Sequence, residues 1–138
     1  MQVLYTATAT ASGDGRNGHT TSDDGLLDVD VRVPKEMGGA GGATNPEQLF
    51  AAGYAACFHS ALKVVAGKDA ANVEGSEVSA SVGIGTLDAG GFGLAVELDV
   101  SLPALDGPAA EALVARAHEV CPYSNATRGN VDVTLRVV

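Results

Sequence analysis

The chain has 138 residues, 46% of them apolar and 18% charged, and it is predicted to form a single domain over residues 1–138. Its formal net charge is −9 at pH 7 and no basic run could neutralise phosphates, which argues against nucleic acid and membrane surfaces as partners. We find no signal-peptide pattern, and the apolar run 49–58 is too short to span a bilayer. We therefore expect a cytoplasmic protein whose two cysteines are thiols, metal ligands or a redox pair.

Three strands are predicted before the first helix. Residues 1–11 alternate between apolar and polar side chains, and a short second strand is predicted over residues 16–22. Asp24-Gly25 is typical of a tight hairpin turn, and residues 27–33 then alternate like a half-buried strand. The glycine-rich segment 35–43 is interpreted as a linker or lid, because no Gly-Lys-Ser/Thr follows it to form a phosphate-binding loop.

The segment from Asn45 to Leu62 is predicted to be a buried helix, with a polar connection over residues 66–75 after it. Asn45 can cap the free amides, Pro46 suits the first helical position, and Gln48 stands where a capping box requires it. From Leu49 to Phe58 nearly every side chain is apolar or small, and a helix that is apolar on all sides is buried. One small sheet covers only one side, so another sheet or a second subunit is needed, which favours a dimer.

The second half of the chain is predicted to contain a hairpin, a helix and a final strand. Residues 78–84 and 94–102 alternate as two strands of an antiparallel hairpin. Asp106 begins a helix that Pro122 ends, and residues 131–137 alternate as the last strand. The predicted order is β-β-β-α-β-β-α-β, an α+β fold of largely antiparallel sheets packed around a buried central helix.

Cys57 lies in the middle of the apolar helix, and Cys121 lies directly before Pro122 in the polar stretch 121–129, which is typical of a loop around a site. A buried cysteine is most often a small packing residue, so a reactive role for Cys57 needs a specific cause. Apolar burial raises a thiol pKa, and a mid-helix position gains nothing from the helix dipole. A cation from another segment must therefore act. A guanidinium at ~4 Å in an effective dielectric of ~20 contributes roughly 4 kcal/mol, about three pKa units before desolvation.

Five arginines could supply this cation: Arg16, Arg32, Arg116, Arg128 and Arg136. Three of them are predicted to lie on solvated faces, whereas Arg16 and Arg128 lie in glycine-containing loops, and composition does not choose between these two. Glu47 stands in the first helical turn, roughly 15 Å from Cys57 along a straight helix. The two can serve one site only if an arginine spans between them or a partner's helix supplies one of them.

A zinc site would have to use Cys57, His59, His118 and Cys121. His118 and Cys121 have a tolerable spacing, but Cys57 and His59 would diverge on a helix, so no metal is expected. No Gly-x-Ser-x-Gly motif supports a serine hydrolase.

Two segments around the cysteines, 43–58 and 120–130, strongly resemble the organic hydroperoxide resistance (Ohr) family, a branch of the Ohr/OsmC superfamily. The Pro-Tyr-Ser that follows the second cysteine is similar to the Ohr branch rather than the OsmC branch. The resemblance runs from end to end, and it includes the strand Tyr-Thr-Ala-Thr-Ala-Thr and the loop Gly-Arg-Asn-Gly near the N-terminus.

The resemblance implies a thiol-dependent peroxidase that reduces alkyl and fatty-acid hydroperoxides without a cofactor. Cys57 would attack the peroxide and become a sulfenic acid, which Cys121 would resolve as a disulfide. Arg16 would be the required cation, and Glu47 the carboxylate that holds its guanidinium. An OsmC-like intertwined homodimer with sites at the subunit interface is also implied, as is reduction by dihydrolipoamide or by the dihydrolipoyl group of a lipoylated protein.

An apolar pocket would favour alkyl hydroperoxides over hydrogen peroxide, because each buried methylene gains about 0.8 kcal/mol. The candidate lining residues, each equally plausible in the core, are Met37, Leu49, Phe50, Phe58 and Tyr123. Two other hypotheses stay open. One is a non-enzymatic small-ligand or lipid-binding module with merely packed cysteines, and the other is an OsmC-type enzyme with a broader peroxide preference.

Overall fold

Two three-stranded sheets and three helices form the fold in the computed structural model, which describes residues 1–138. In chain order the elements are β1 (Ala9–Ser12), β2 (His19–Ser22), β3 (Asp28–Asp30), α1 (Pro46–Asp69), β4 (Glu77–Thr86), β5 (Phe92–Ser101), α2 (Gly107–Val120), α3 (Pro122–Thr127) and β6 (Asp132–Val137). The predicted α+β class is confirmed, with the short helix α3 as an addition. The chain divides into two units, Met1–Leu49 and Phe50–Val138, and the single-domain assignment stays a prediction.

The first unit contains the antiparallel sheet β1-β2-β3. The predicted β2–β3 hairpin is present, but its turn is wider than Asp24-Gly25, because the Ser22 amide donates to the Leu27 carbonyl at 2.7 Å. Residues 1–8, predicted as part of the first strand, form no strand and are exposed. Alternation alone does not make a strand, since its backbone groups need a neighbouring strand to bond to.

The start of α1 agrees with the sequence prediction. The Asn45 side-chain oxygen accepts a hydrogen bond from the Gln48 amide at 2.9 Å. The Gln48 side chain does not return to Asn45 as a capping box would; its Oε1 accepts from the Thr44 hydroxyl at 2.9 Å. The glycine-rich connection before the helix contains a single 3₁₀ turn at Lys35–Met37, which Gly38 ends in the left-handed region at φ 81°.

The second unit contains the sheet β4-β5-β6 and the helices that cover it. β4 and β5 form the predicted antiparallel hairpin, paired from Glu77↔Ser101 to Thr86↔Phe92. β6 lies parallel to β5, because the chain returns to the sheet through a crossover that contains α2 and α3. Cys121 stands in this crossover, at the junction of the two helices.

The core of this unit lies between the helices and the inner face of the sheet. β5 contributes Val96, Leu98 and Val100, which confirms the alternation predicted for this strand. The helices contribute most of the other buried side chains, among them Tyr54, Phe58, Leu62, Leu113, Val114 and Ala117.

Helix α1 is longer than predicted and is not buried on all sides. It extends to Asp69, and by length and composition it could cross a membrane, a test that core helices also pass. One face packs into the core, whereas the stripe Ala52, Ala56, Ser60 and Val64 is exposed. The chain alone therefore covers only part of this apolar helix.

Candidate active site

Two free thiols meet in the second unit. The Cys57 and Cys121 sulfur atoms are 3.7 Å apart, although the residues are 64 positions apart in the chain. A disulfide bond is about 2.05 Å long, so the sulfurs are in contact but not bonded. Cys121 is completely buried, and Cys57 is half-buried.

Cys121 joins two helices. Its amide donates to the Ala117 carbonyl at 2.9 Å as the last bond of α2, and its carbonyl accepts from the Asn125 amide at 2.9 Å as the first bond of α3. The interpretation of residues 121–129 as a loop is therefore wrong for residues 122–127. Pro122 ends one helix and, with its fixed φ, begins the next.

The immediate surroundings of Cys57 do not favour a thiolate. Burial raises the pKa of this thiol, and the neighbouring Cys121 thiol raises it further. The backbone N–H of Tyr123 acts in the opposite direction, since it hydrogen-bonds to the Cys57 sulfur and lowers the pKa. This amide was not predicted from the sequence, because it reaches the sulfur only through the helical turn of α3. Within its own unit, Cys57 has no positive side chain among the groups that set its pKa.

The first unit contains a bidentate ion pair between Arg16 and Glu47. The two guanidinium nitrogens donate to the two carboxylate oxygens at 2.8 and 2.7 Å. The pair raises the pKa of Arg16 and lowers that of Glu47, so both groups are charged near neutral pH. The pair thus joins two residues that are 31 positions apart in the chain, and the role of Glu47 in holding Arg16 for Cys57 stays a prediction.

The loop that carries Arg16 is closed by specific contacts. The Asn17 side-chain oxygen accepts a hydrogen bond from the Val33 amide at 3.2 Å, and the Arg32 guanidinium donates one to the Gly18 carbonyl at 3.0 Å. A Cβ on Gly18 would lie 2.1 Å from the Ser12 carbonyl oxygen, so this close approach requires glycine. The prediction that the Arg32 side chain is solvated is wrong, because its guanidinium donates hydrogen bonds to the Gly18 and Val31 carbonyls.

The other arginines have separate partners. Arg136 donates to Asp99 at 2.8 Å and pairs with Glu97 on the outer face of the sheet, and Arg116 pairs with Asp69. Arg128 donates to the Asn125 side chain at 2.8 Å and to the His118 carbonyl at 2.7 Å.

The five candidate pocket residues differ in their positions. Phe50 and Tyr123 form an aromatic pair with ring centroids 5.9 Å apart, and Tyr123 is 38% exposed. Phe58 is completely buried in the core and has no surface exposed to solvent. Met37 and Leu49 belong to the first unit, where Met37 is exposed and Leu49 half-buried. Their role in lining a pocket stays a prediction.

A buried network of hydroxyl groups joins α1 to α3, and the sequence analysis does not predict it. The Tyr54 hydroxyl is 3.0 Å from the Ser124 hydroxyl and 3.1 Å from the Thr127 hydroxyl. The Ser124 hydroxyl also contacts His118 Nδ1 at 2.8 Å. Burial lowers the pKa of His118, as does the nearby Arg128. Ser124 and Thr127 read as turn residues in the sequence, and only the helical form of α3 directs them inward.

The comparisons with known proteins agree on one family. The family model of OsmC-like proteins matches residues 38–136. An organic hydroperoxide resistance protein of Xanthomonas axonopodis pv. citri (strain 306) is 57% identical over 136 residues, which cover 97% of this chain and 94% of that protein. The chain belongs to the OsmC-like family.

Solved structures place the chain in the Ohr branch of this family. The crystal structure of an organic hydroperoxide resistance protein from Legionella pneumophila has a TM-score of 0.94 and 54% identity, over 99% of this chain and 98% of that one. The structure of OhrB from Bacillus subtilis has a TM-score of 0.90 and 50% identity, over 99% of this chain and 100% of that one. The resemblance of the two cysteine segments to Ohr proteins is thereby confirmed.

Proposed function

We propose that this Ohr-family chain is a cysteine peroxidase that reduces organic hydroperoxides to alcohols and so protects against organic peroxide stress. The observation that carries the proposal is the 3.7 Å contact between the free Cys57 and Cys121 sulfurs. Relatives named organic hydroperoxide resistance proteins support the substrate class.

In the first step the Cys57 thiolate attacks the terminal oxygen of the hydroperoxide. The S–O bond forms as the O–O bond breaks, the alkoxide takes up a proton and leaves as alcohol, and Cys57 becomes a sulfenic acid. We assign to Arg16 the role of stabilising the thiolate, and to Glu47 that of holding the guanidinium. The raised pKa of Cys57 in its own surroundings supports the need for such a cation.

In the second step the Cys121 sulfur attacks the Cys57 sulfenic acid. The S–S bond forms as the S–O bond breaks, and the hydroxide leaves as water with the thiol proton. We propose that dihydrolipoamide or the dihydrolipoyl group of a lipoylated protein then reduces the disulfide.

We also propose how the substrate binds, the oligomeric state and the location of the protein. Alkyl and fatty-acid hydroperoxides would bind against apolar side chains, and the candidates are the partly exposed Phe50 and Tyr123 together with Met37, Leu49 and Phe58. The exposed small-residue stripe of α1 supports a homodimer, and the cytoplasm is the proposed location.

Mass spectrometry of the reduced protein tests the chemistry directly. One equivalent of cumene hydroperoxide should produce a Cys57–Cys121 disulfide, and Cys57→Ser should abolish turnover. If neither a sulfenic acid nor a disulfide forms, the peroxidase proposal is wrong. A ligand-binding module would instead retain ligand in Cys57→Ala, and both of its thiols would resist alkylation in the folded state.

Two comparisons of rates test the finer assignments. Alkyl hydroperoxide should be consumed faster than hydrogen peroxide, whereas equal rates would favour an OsmC-type preference. Dihydrolipoamide should sustain turnover better than thioredoxin or glutathione, and a preference for either of those would overturn the proposed reductant.

A further inference from the structure

The buried hydroxyl network described above stands one helical turn from each cysteine. Tyr54 precedes Cys57 by three residues on α1, and Ser124 follows Cys121 by three residues. Tyr54 and Ser124 are both completely buried, and Thr127 is 4% exposed. The network therefore links the helix that carries one thiol to the segment that carries the other.

Every hydroxyl in this network has more than one partner. Ser124 contacts both Tyr54 and His118, and Thr127 contacts Tyr54 as well as the Tyr123 and Ser124 carbonyls at 3.0 and 3.2 Å. No buried side-chain nitrogen or oxygen atom in the molecule lacks a hydrogen-bond partner. A fully satisfied buried network specifies one arrangement of the elements it joins, because any shift leaves a polar group unpaired.

The thiols themselves cannot fix this arrangement. Two thiols at 3.7 Å form at most a weak hydrogen bond. The sulfurs must still approach by about 1.7 Å to reach disulfide length, so the position of Cys121 relative to Cys57 governs the approach.

We infer that Ser124 and Tyr54 are positioning residues for the resolving step, and that their hydroxyl contact holds Cys121 within reach of Cys57. This inference rests on the proposed function. The step served is the attack of the Cys121 sulfur on the Cys57 sulfenic acid, in which the S–S bond forms, the S–O bond breaks and water leaves. The network touches neither the hydroperoxide nor the reacting sulfurs in this assignment. Its contribution is to hold the geometry of approach.

Ser124→Ala tests the inference, with Tyr54→Phe as a second variant that keeps the ring. Reduced protein receives one equivalent of cumene hydroperoxide and is quenched at successive times. Mass spectrometry then follows the sulfenic acid, trapped with dimedone, and the disulfide. We expect disulfide formation to slow about tenfold in Ser124→Ala while sulfenic acid formation changes much less. Tyr54→Phe should act in the same direction.

Ser76→Ala is the matched control. Ser76 is also a buried serine whose hydroxyl contacts a histidine, since it lies 3.0 Å from His59 Nε2 on α1, but it is not part of the network. This variant should resolve the sulfenic acid at the wild-type rate. A general loss of packing would slow all three variants in proportion to their loss of stability, and that outcome would overturn the inference.

The failure of the inference is distinguishable from the failure of the proposed function. If the unaltered protein forms neither product, the peroxidase chemistry is wrong. If it forms both products and Tyr54→Phe and Ser124→Ala resolve at its rate, only the positioning role is wrong. Should Ser124→Ala fail to fold, the rate in Tyr54→Phe decides.

Discussion

The Arg16–Glu47 pair gives the most specific prediction. Glu47→Gln keeps the shape of the side chain but removes its charge and one of the two acceptors that the guanidinium uses at 2.7 and 2.8 Å. Hydrogen bonds to charged groups contribute about 1.5–3 kcal/mol, and exposed ion pairs about 0–1 kcal/mol. Because the Glu47 side chain is 12% exposed and that of Arg16 38%, we expect a loss of about 1 kcal/mol in the free energy of unfolding in urea.

The functional effect follows if Glu47 orients Arg16 for the Cys57 thiolate. A loss of about 1 kcal/mol of thiolate stabilisation raises the thiol pKa by most of a unit and slows its reaction about fivefold at neutral pH. The assay is the rate of iodoacetamide alkylation of Cys57 between pH 5 and 9, together with cumene hydroperoxide turnover.

Glu97→Gln is the control for this prediction, because it also removes a carboxylate that pairs with an arginine, on the outer face of the sheet. It should leave the alkylation profile unchanged. Faster alkylation in Glu47→Gln would mean that the carboxylate weakens the cation instead of holding it, and would refute the reasoning.

Three further outcomes are expected. Cys121→Ser should consume one equivalent of hydroperoxide and then accumulate oxidised Cys57, whereas sustained turnover at the wild-type rate would contradict the resolving role. Leu98→Ala should lower the free energy of unfolding by about 3–5 kcal/mol, because Leu98 is completely buried in the central strand, and a loss below about 1 kcal/mol would contradict that position. The pKa of His19 is raised mainly by Asp30, so its contribution to stability should be complete below about pH 6.5 and lost as the pH rises through the folded value. In His19→Gln the free energy of unfolding in urea should not show this decrease with rising pH. If the variant keeps the wild-type pH dependence, His19 is not its source.

Local patterns were enough to predict most of the elements. Asn45 and Pro46 marked the start of α1 because capping and the first helical position depend only on adjacent residues. The alternation of β5 placed Val96, Leu98 and Val100 inside because a strand has a period of two residues. The Ohr resemblance supplied the family, which the comparisons confirm.

The remainder depends on contacts between distant parts of the chain. The parallel pairing of β6 with β5 cannot be read from alternation, which is the same for both directions. Residues 1–8 alternate well, yet they form no strand, because alternation does not show whether a neighbouring strand is there to pair with. Residues 122–127 contain turn-forming residues, and they form a helix because Pro122 restarts the helical path. The contact between Cys57 and Cys121 spans 64 positions, so spacing alone could not reveal it.

The unequal exposure of the two thiols has a consequence for the kinetics of a redox cycle. A disulfide between them would present only one sulfur to a reductant, because Cys121 is completely buried and Cys57 is not. The incoming thiol would have to attack Cys57, with Cys121 as the leaving group. Oxidant and reductant would then act on the same atom in different redox forms, the oxidant on the Cys57 thiolate and the reductant on the disulfide. Such a protein would alternate strictly between a reduced and a disulfide form. Plots of reciprocal rate against reciprocal hydroperoxide concentration, measured at several fixed concentrations of reductant, would then be parallel lines.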